Sequence, residues 1–289
     1  MRSLNALMGA DPAHDRLHYF ETSWLFSPPI FATLRLVIAL YCLLTILIIF
    51  SSEGVHGSGI IDVRSFSYFT NLSFAGVQWY FLVAGIHTVF YACTGRSVLF
   101  DKWPRWLRST HSLFYTTIVC YPFVVAPVYW AMLYKGPWYP VRYNAWSNVS
   151  RHALTPVFAL FEIIFSTVPP PPLLHFPFLV IILALYTGVA YITHATQGTW
   201  VYPFLNPGPH NQHSGRVAAY LFGVIAIQLL AFVVVWLISY ARMRLVSSKK
   251  TKWAKGDEGA LAAPGGRANG DAEMAEEAME IHLDLDERK

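Results

Sequence analysis

The chain has 289 residues, of which 55% are hydrophobic and only 13% are charged. Because soluble globular proteins carry about 25% charged residues, this composition excludes a soluble globular fold. The apolar residues are also gathered into long runs, so the sequence predicts an all-α, polytopic membrane protein with no nucleic-acid partner.

Six apolar runs, each close to the roughly 20 residues that cross a bilayer core, follow one another along the chain. Residues 1–29 precede them as an N-terminal segment, and the six-helix membrane domain is predicted to cover 30–246. Residues 247–289 are rich in Gly, Ala and Glu, and we predict a disordered tail there. The predicted transmembrane helices are 30–50, 68–92, 111–134, 148–168, 176–192 and 215–240.

Basic residues are distributed unevenly between the two sides of this predicted bundle. Twelve lysines and arginines fall in the N-terminal segment, the loop after the second helix and residues 242–255, which share one side, against four on the opposite side. Since basic loops stay in the cytosol, both termini are predicted to be cytosolic. The basic run Arg242–Lys255 suits attraction to an anionic cytosolic leaflet, although it can equally serve as an orientation signal only.

The start of the fourth predicted helix carries polar side chains that are unusual in a membrane segment, including Asn148, Ser150, Arg151 and His152. Such groups are costly at a helix mouth unless they face a cavity or a partner, so they indicate a functional site. Pro156 lies four residues after His152 and has no N–H group. The carbonyl of His152 therefore loses its helical hydrogen bond.

Thr70, near the start of the second predicted helix, matches His152 in depth because both helices enter from the non-cytosolic side. A hydroxyl and an imidazole at matched depth are what a nucleophile–base pair requires. The alternative is ordinary packing, in which the Thr bonds its own backbone and the His fills a polar niche. The loop with His194 and Trp200 lies on the same side and is expected to line the same cavity.

Two further charges lie inside the predicted helices. Arg35 in the first and Glu162 in the fourth are expected at similar depth, and we predict a structural ion pair because an unpaired charge there is costly. His194, His210 and His213 could suggest zinc, but the last two lie in a loop, whereas catalytic zinc needs three firmly held ligands. We therefore predict no metal site.

Four short strings stand out beside these residues. The most specific is Gly198–Leu205, which reads GTWVYPFL and follows His194. The second, Asn148–Glu162, has an Asn, a His four residues on, a Pro and then a Glu in an apolar helix. The others are Phe69–Leu72, which reads FTNL, and the weaker Leu34–Leu36.

Together these strings resemble the androgen-induced and androgen-dependent TFPI-regulating family of multi-pass membrane proteins. That family includes threonine hydrolases that cleave fatty acid esters of hydroxy fatty acids. The similarity covers about residues 30–240, and the family's human members have Asp where Asn71 stands here. The resemblance implies that Thr70 is the nucleophile and His152 its base.

We therefore expect a membrane hydrolase that acts on a lipid carboxylic ester dissolved in the bilayer, without a cofactor. Asn148, one turn before His152, is placed to orient the imidazole, and Asn71 or backbone N–H groups near Thr70 are placed to face the oxyanion. The alternative is a non-catalytic membrane protein with the same fold that binds lipid, signals or transports. The membrane, endoplasmic reticulum or plasma membrane, and any protein partners stay open.

Overall fold

The computed structural model describes residues 4–9, 18–56 and 63–247, and these residues form helices and turns without a β-strand. The prediction of an all-α fold is therefore confirmed. Six long rods, each a continuous run of helical turns, follow one another in these residues. Their starts and ends extend past several of the apolar runs that located them, because polar and aromatic residues prolong the helices beyond the apolar stretch.

The rods have the following bounds. The short helix α1 (Leu4–Leu7) precedes rod one, which is α2 (Pro28–His56), and rod two is α3 (Phe69–Thr94). After the short helix α4 (Val98–Lys102), rod three joins α5 (Arg105–Cys120), α6 (Pro122–Pro127) and the first π-helical turn (Val128–Leu133). Rod four joins α7 (Arg142–Val149), the second π-helical turn (Ser150–Leu154) and α8 (Thr155–Phe165). Rod five is α9 (His175–Gln197) and rod six is α10 (Ser214–Ser247).

Five of the rods are long and apolar enough to cross a membrane, by length and composition. This is consistent with a membrane protein. Rod four falls outside the group because Asn148, Arg151, His152 and Glu162 lower its hydropathy. The five segments are Pro28–Ser52, Phe69–Thr94, Arg105–Leu133, His175–Gln197 and Ser214–Val246.

Contacts at the two ends of the bundle show how the rods alternate in direction. At one end, which we call the Ser23 end, Ser23 forms an isolated antiparallel bridge with Ser166, just past rod four. At the opposite end, the Thr70 end, Tyr186 of rod five donates a 2.7 Å hydrogen bond to the carbonyl of Ser67, just before rod two. The end of rod four therefore contacts the segment before rod one, at the opposite end of the bundle from the start of rod two.

Residues 18–27, which the sequence predicts as part of a separate N-terminal segment, pack onto the end of rod four. Ser23 Oγ donates to the carbonyl of Phe165 at 2.6 Å, and Trp24 Nε1 donates to the carbonyl of Ile164 at 2.7 Å. Carbonyls in the last turn of a helix have no helical N–H partner, so these side chains satisfy them. The predicted tail lies outside the described residues apart from Ser247.

Arg35 of rod one and Glu162 of rod four form an ion pair inside the bundle, and both side chains are 0% exposed. Arg35 Nε donates to Glu162 Oε2 at 3.2 Å, and Nη2 donates to Oε1. Nη1 reaches the carbonyl of Phe20 at 2.6 Å and Thr88 Oγ1 at 2.7 Å, while Tyr80 donates to Glu162 Oε1 at 3.0 Å. One buried cation thus ties rods one, two and four to the N-terminal segment.

Arg242, near the end of rod six, holds a second set of carbonyls at the Ser23 end. It donates to the carbonyls of Ile163 at 2.7 Å and Ser166 at 2.6 Å, and also to that of Val168. A guanidinium suits this place because the carbonyl end of a helix is negative. Arg242 is therefore buried in the bundle. The sequence suggested that this residue belongs to a basic run facing the leaflet, and the structure corrects that prediction for Arg242.

The first prediction concerns the ion pair. Arg35→Leu or Glu162→Leu leaves one buried charge without its counter-charge and should lower the free energy of unfolding by about 3–5 kcal/mol. The double substitution should recover part of that loss, because no isolated charge is left. Chemical unfolding of the purified variants in detergent measures all three values. Arg142→Leu, at an exposed position, is the control, and strictly additive losses would contradict the coupling.

Candidate active site

An apolar cavity of about 270 Å³ lies at the Thr70 end of the bundle. Rods three, five and six supply most of its aliphatic walls, and the loop between rods five and six closes one side. The members of its lining that carry a hydroxyl are Thr70, Tyr129, Tyr186, Thr187 and Tyr202. A long apolar chain with one polar group matches such a lining.

Thr70 enters this cavity from the first turn of α3. Its side chain is 8% exposed, and the helix begins after Tyr68 without a side-chain cap. The N–H of Phe69 instead donates to the Tyr186 hydroxyl at 3.1 Å, and that hydroxyl donates its own proton to the carbonyl of Ser67 at 2.7 Å. The N-terminus of a helix is a positive site, so Thr70 lies where negative charge is favoured.

Tyr202 lines the same cavity as Thr70, and its ring lies 6.4 Å from that of Tyr186, an arrangement that the sequence does not reveal. Burial raises the pKa of Tyr202, and hydrogen-bond donors at the start of α3 partly oppose that shift. The phenol is therefore uncharged. Tyr202 lies two residues after Trp200 in the GTWVYPFL string, and this string is the sequence feature that could have identified it as a site residue.

His152 lies in the second π-helical turn, against the first. Its side chain is 5% exposed, and its ring stacks on the ring of Tyr129 with centroids 3.5 Å apart and planes 4° from parallel. Within the described residues, the buried Nδ1 of His152 has no hydrogen-bond partner. π-Helical turns occur mostly as single turns and frequently at functional sites. Two of them meeting at one histidine mark this as the candidate site.

The carbonyl of His152 has the donor that the sequence implied it would need. Pro156 cannot supply an N–H group, and the indole Nε1 of Trp130 donates to this carbonyl at 3.3 Å. Trp130 comes from the π-helical turn of rod three, so the missing hydrogen bond of one rod is replaced by the neighbouring rod. The backbone at His152 is thereby held against rod three.

Thr70 and His152 lie at the same end of the bundle, but no hydrogen bond joins them among the residues that the structure describes. Thr70 lines the cavity, whereas the ring of His152 does not. Tyr129 connects the two because it lines the cavity and also stacks on His152. The catalytic pair of Thr70 and His152 therefore stays a prediction. Tyr129 stacks on His152 and shares the cavity lining with Thr70.

Asn71 and Asn148 have partners other than the expected ones. Asn71 Oδ1 accepts a 3.0 Å hydrogen bond from Arg151, so the amide oxygen of Asn71 is tied to rod four. Asn148 Oδ1 accepts from the Tyr129 hydroxyl at 2.7 Å, and the structure gives it no hydrogen bond to His152. Asn148 thus acts on the imidazole only through Tyr129, the ring that lies on it.

His194 and Trp200 come together at the rim of the loop. Their rings stack with centroids 3.9 Å apart and planes 15° from parallel. Neither lines the cavity, although Trp200 packs against the cluster that contains Val201 and Leu205. The two residues therefore support the loop that carries Tyr202.

No group of three or more His, Cys, Asp or Glu side chains that could hold a metal ion occurs within residues 4–9, 18–56 and 63–247. The three cysteines are free thiols: Cys42 and Cys120 are buried and Cys93 is exposed.

Comparison of the chain with protein-family models, with curated proteins and with solved structures found no match.

The second prediction concerns the His152 carbonyl. Trp130→Phe removes the indole N–H from this partly buried carbonyl, which should cost about 1–3 kcal/mol of unfolding free energy. In a Pro156→Ala background the loss should be smaller, because the introduced alanine supplies an N–H group four residues after His152. Unfolding in detergent measures both steps, with Trp138→Phe at an exposed indole as control. Equal losses in the two backgrounds would contradict this account.

Proposed function

We propose that this protein is a membrane-embedded hydrolase of lipid carboxylic esters, with Thr70 as nucleophile and His152 as general base. The observation that carries the proposal is a buried threonine that lines an apolar cavity in the first turn of a helix. The resemblance of the strings around Thr70, His152 and Trp200 to threonine hydrolases supports it. The substrate class that follows from that resemblance is fatty acid esters of hydroxy fatty acids.

The chemistry proceeds in two halves. His152 accepts the proton of Thr70 Oγ1 while this oxygen attacks the ester carbonyl, and the tetrahedral intermediate then expels the alcohol, which takes the proton from His152. An acyl-threonine remains. Water, deprotonated by the same imidazole, attacks the acyl-threonine and releases the fatty acid and free Thr70.

This mechanism requires that the imidazole reaches Thr70 Oγ1 when substrate fills the cavity. Catalytic hydrogen bonds are often long before substrate binds and tighten in the complex. The Tyr129 ring lines the cavity and stacks on His152, so the mechanism requires substrate to displace this ring. Substrate chains that displace this ring would bring the imidazole into the cavity.

The alternative function is lipid binding without chemistry. It is favoured by the same apolar cavity and by the lack of a hydrogen bond between Thr70 and His152 among the residues that the structure describes. A long-chain fluorophosphonate separates the two functions, because it reacts with an activated hydroxyl and not with an ordinary one. Labelling of Thr70 in the purified protein supports the hydrolase, and saturable lipid binding without labelling supports the alternative.

We further propose six transmembrane spans with both termini in the cytosol, in the endoplasmic reticulum or the plasma membrane. The alternation of the rods supports a crossing by rod four, whose charge Glu162 is neutralised by Arg35. The excess of basic residues at the Ser23 end supports a cytosolic position for that end.

The third prediction tests this topology with thiols. In sealed vesicles of known orientation, an impermeant maleimide should label Cys93, which is exposed at the end of rod two, from the cytosolic side. In a Cys93→Ser background, Leu173→Cys should label from that same side and Lys135→Cys from the opposite one, because rod four separates the two exposed positions. Labelling of both from one side would mean that rod four does not cross.

The fourth prediction concerns the catalytic pair. Thr70→Val keeps the shape without the hydroxyl and should abolish ester hydrolysis, whereas Thr70→Ser should retain part of it. His152→Ala should lose about as much, and the double variant should lose little more, since the two residues act as a unit. The assay is hydrolysis of a branched fatty acid ester by purified protein in detergent.

Two controls keep this experiment interpretable. Thr196→Val removes an exposed threonine hydroxyl on the same type of helix and should hydrolyse the ester at the parental rate. Each variant is compared with the parent by gel filtration and thermal melting. Folded Thr70→Val protein with unchanged turnover would falsify the mechanism.

A further inference from the structure

A second apolar space, which we call the groove, lies between rods two, three and five. Two cavities of about 350 and 320 Å³ form it, and both are lined by Phe114, Thr117 and Ile182. Trp103 and Leu107 line its part toward the Ser23 end, where rod three begins. Among the described residues, no Lys, Arg, Asp or Glu side chain lines either cavity.

We propose that the groove binds one acyl chain of an anionic phospholipid, and that Arg108 binds the phosphate of this lipid beside Trp103. This site is distinct from the proposed catalytic pair, and its occupation does not depend on hydrolysis.

The groove has the length and the polarity that an acyl chain requires. Rod three rises about 15 Å between Leu107 and Thr117, at ~1.5 Å per residue. The hydrocarbon core of a bilayer is ~30 Å thick, so this rise equals the depth of about one leaflet. Leu72 and Leu185, which also line the groove, are 41% and 67% exposed. The groove is therefore open to the acyl chains of the surrounding bilayer.

Arg108 brings a positive charge to the end of the groove. Its Nε donates to the carbonyl of Trp103 at 3.1 Å, and its Nη2 donates to the carbonyl of Asp101 at 3.2 Å. These two bonds hold the half-buried guanidinium beside a residue that lines the groove. Nη1 has no hydrogen-bond partner among the described residues. A guanidinium with unused N–H groups suits a phosphate, because arginine donates to two phosphate oxygens at once.

The charge around this end of the groove is complementary to an anionic headgroup. Residues 96–108 contain one acidic residue, Asp101, against the basic Arg96, Lys102, Arg105 and Arg108. The side chains of Lys102 and Arg105 are exposed, and the structure gives neither a hydrogen bond to a described residue. Basic sites between transmembrane helices at the cytosolic side bind anionic lipid headgroups.

Two tryptophans lie at the level where a headgroup is expected. Trp103 lines the groove, and Trp106, in the first turn of rod three, is 65% exposed. Tryptophan is enriched at the membrane–water interface, where its apolar ring and its N–H group face different surroundings. The basic side chains between and beside these rings thus lie at headgroup height, with the groove below them.

The fifth prediction compares two phospholipids that have the same acyl chains. Native mass spectrometry of the purified protein in detergent should show one dioleoyl phosphatidylserine bound, about tenfold more tightly than dioleoyl phosphatidylcholine. Arg108→Gln should weaken phosphatidylserine binding roughly fivefold, the contribution of one cation near a headgroup. Phosphatidylcholine should lose less, because its choline cation offsets the phosphate charge. Arg142→Gln, an exposed arginine at the Thr70 end, is the control and should bind as the parent does.

A second variant tests whether the groove holds the chain. Gly76 lines the groove, and an added Cβ would lie 3.8 Å from the Phe114 ring, an ordinary contact distance. Gly76→Leu should therefore fill the groove and weaken phosphatidylserine binding about tenfold, the loss expected when about two methylenes stay unburied. Gly223→Leu, at an exposed glycine with open space around it, is the matched control and should leave binding unchanged. Glycerophosphoserine, which is the headgroup without chains, should not displace the lipid at millimolar concentration.

Each other outcome overturns the inference at a stated point. Equal affinity of the parent for the two lipids would mean that only the ordinary lipid shell of a membrane protein is present. Parental binding by Gly76→Leu, or displacement by glycerophosphoserine, would mean that the chain is not in the groove. If Arg108→Gln does not fold, the exposed pair Lys102→Gln and Arg105→Gln replaces it and should weaken phosphatidylserine binding at least as much. An unchanged preference for phosphatidylserine in that variant overturns the role of the basic cluster.

Discussion

The buried pair of Arg35 and Glu162 is the interaction on which the rest of the bundle depends. Rod four is the least apolar of the six, and a lone carboxylate within it would be costly in a medium without water. Arg35 removes that cost while its guanidinium rests 3.9 Å above the ring of Phe31 and binds the N-terminal segment and rod two. Because rod four is fixed at Glu162, the position of His152 about three turns away is fixed with it.

The polar groups of the candidate site are arranged in layers around an apolar space. Behind the cavity wall, Asn148 holds Tyr129 and Trp130 holds the carbonyl of His152. On the opposite wall, the Tyr186 hydroxyl binds the carbonyl of Ser67 and the N–H of Phe69, next to Thr70 in the chain. Neighbouring side chains thus satisfy the backbone groups around the cavity.

Long apolar runs were enough to locate the helices, because a helix satisfies the backbone hydrogen bonds of an apolar segment inside a bilayer. The pairing of Arg35 with Glu162 followed from their depth, and the unmet carbonyl of His152 followed from Pro156. The place of Tyr202 could not be predicted in the same way. It depends on how a loop far along the chain folds over α3. The stacking of Tyr129 on His152 depends on π-helical turns, which no local sequence pattern predicts.

The second π-helical turn has a consequence for the register of rod four. Ser150, which bonds Tyr41 of rod one at 2.7 Å, and Glu162, which bonds Arg35 of the same rod, are both fully buried. Twelve residues of regular α-helix make about three and a third turns, so these two side chains would point about a third of a turn apart. Each residue of a wider turn rotates the chain through a smaller angle, so that both side chains reach rod one. The local widening at His152 therefore turns Ser150 and Glu162 toward the same neighbouring rod.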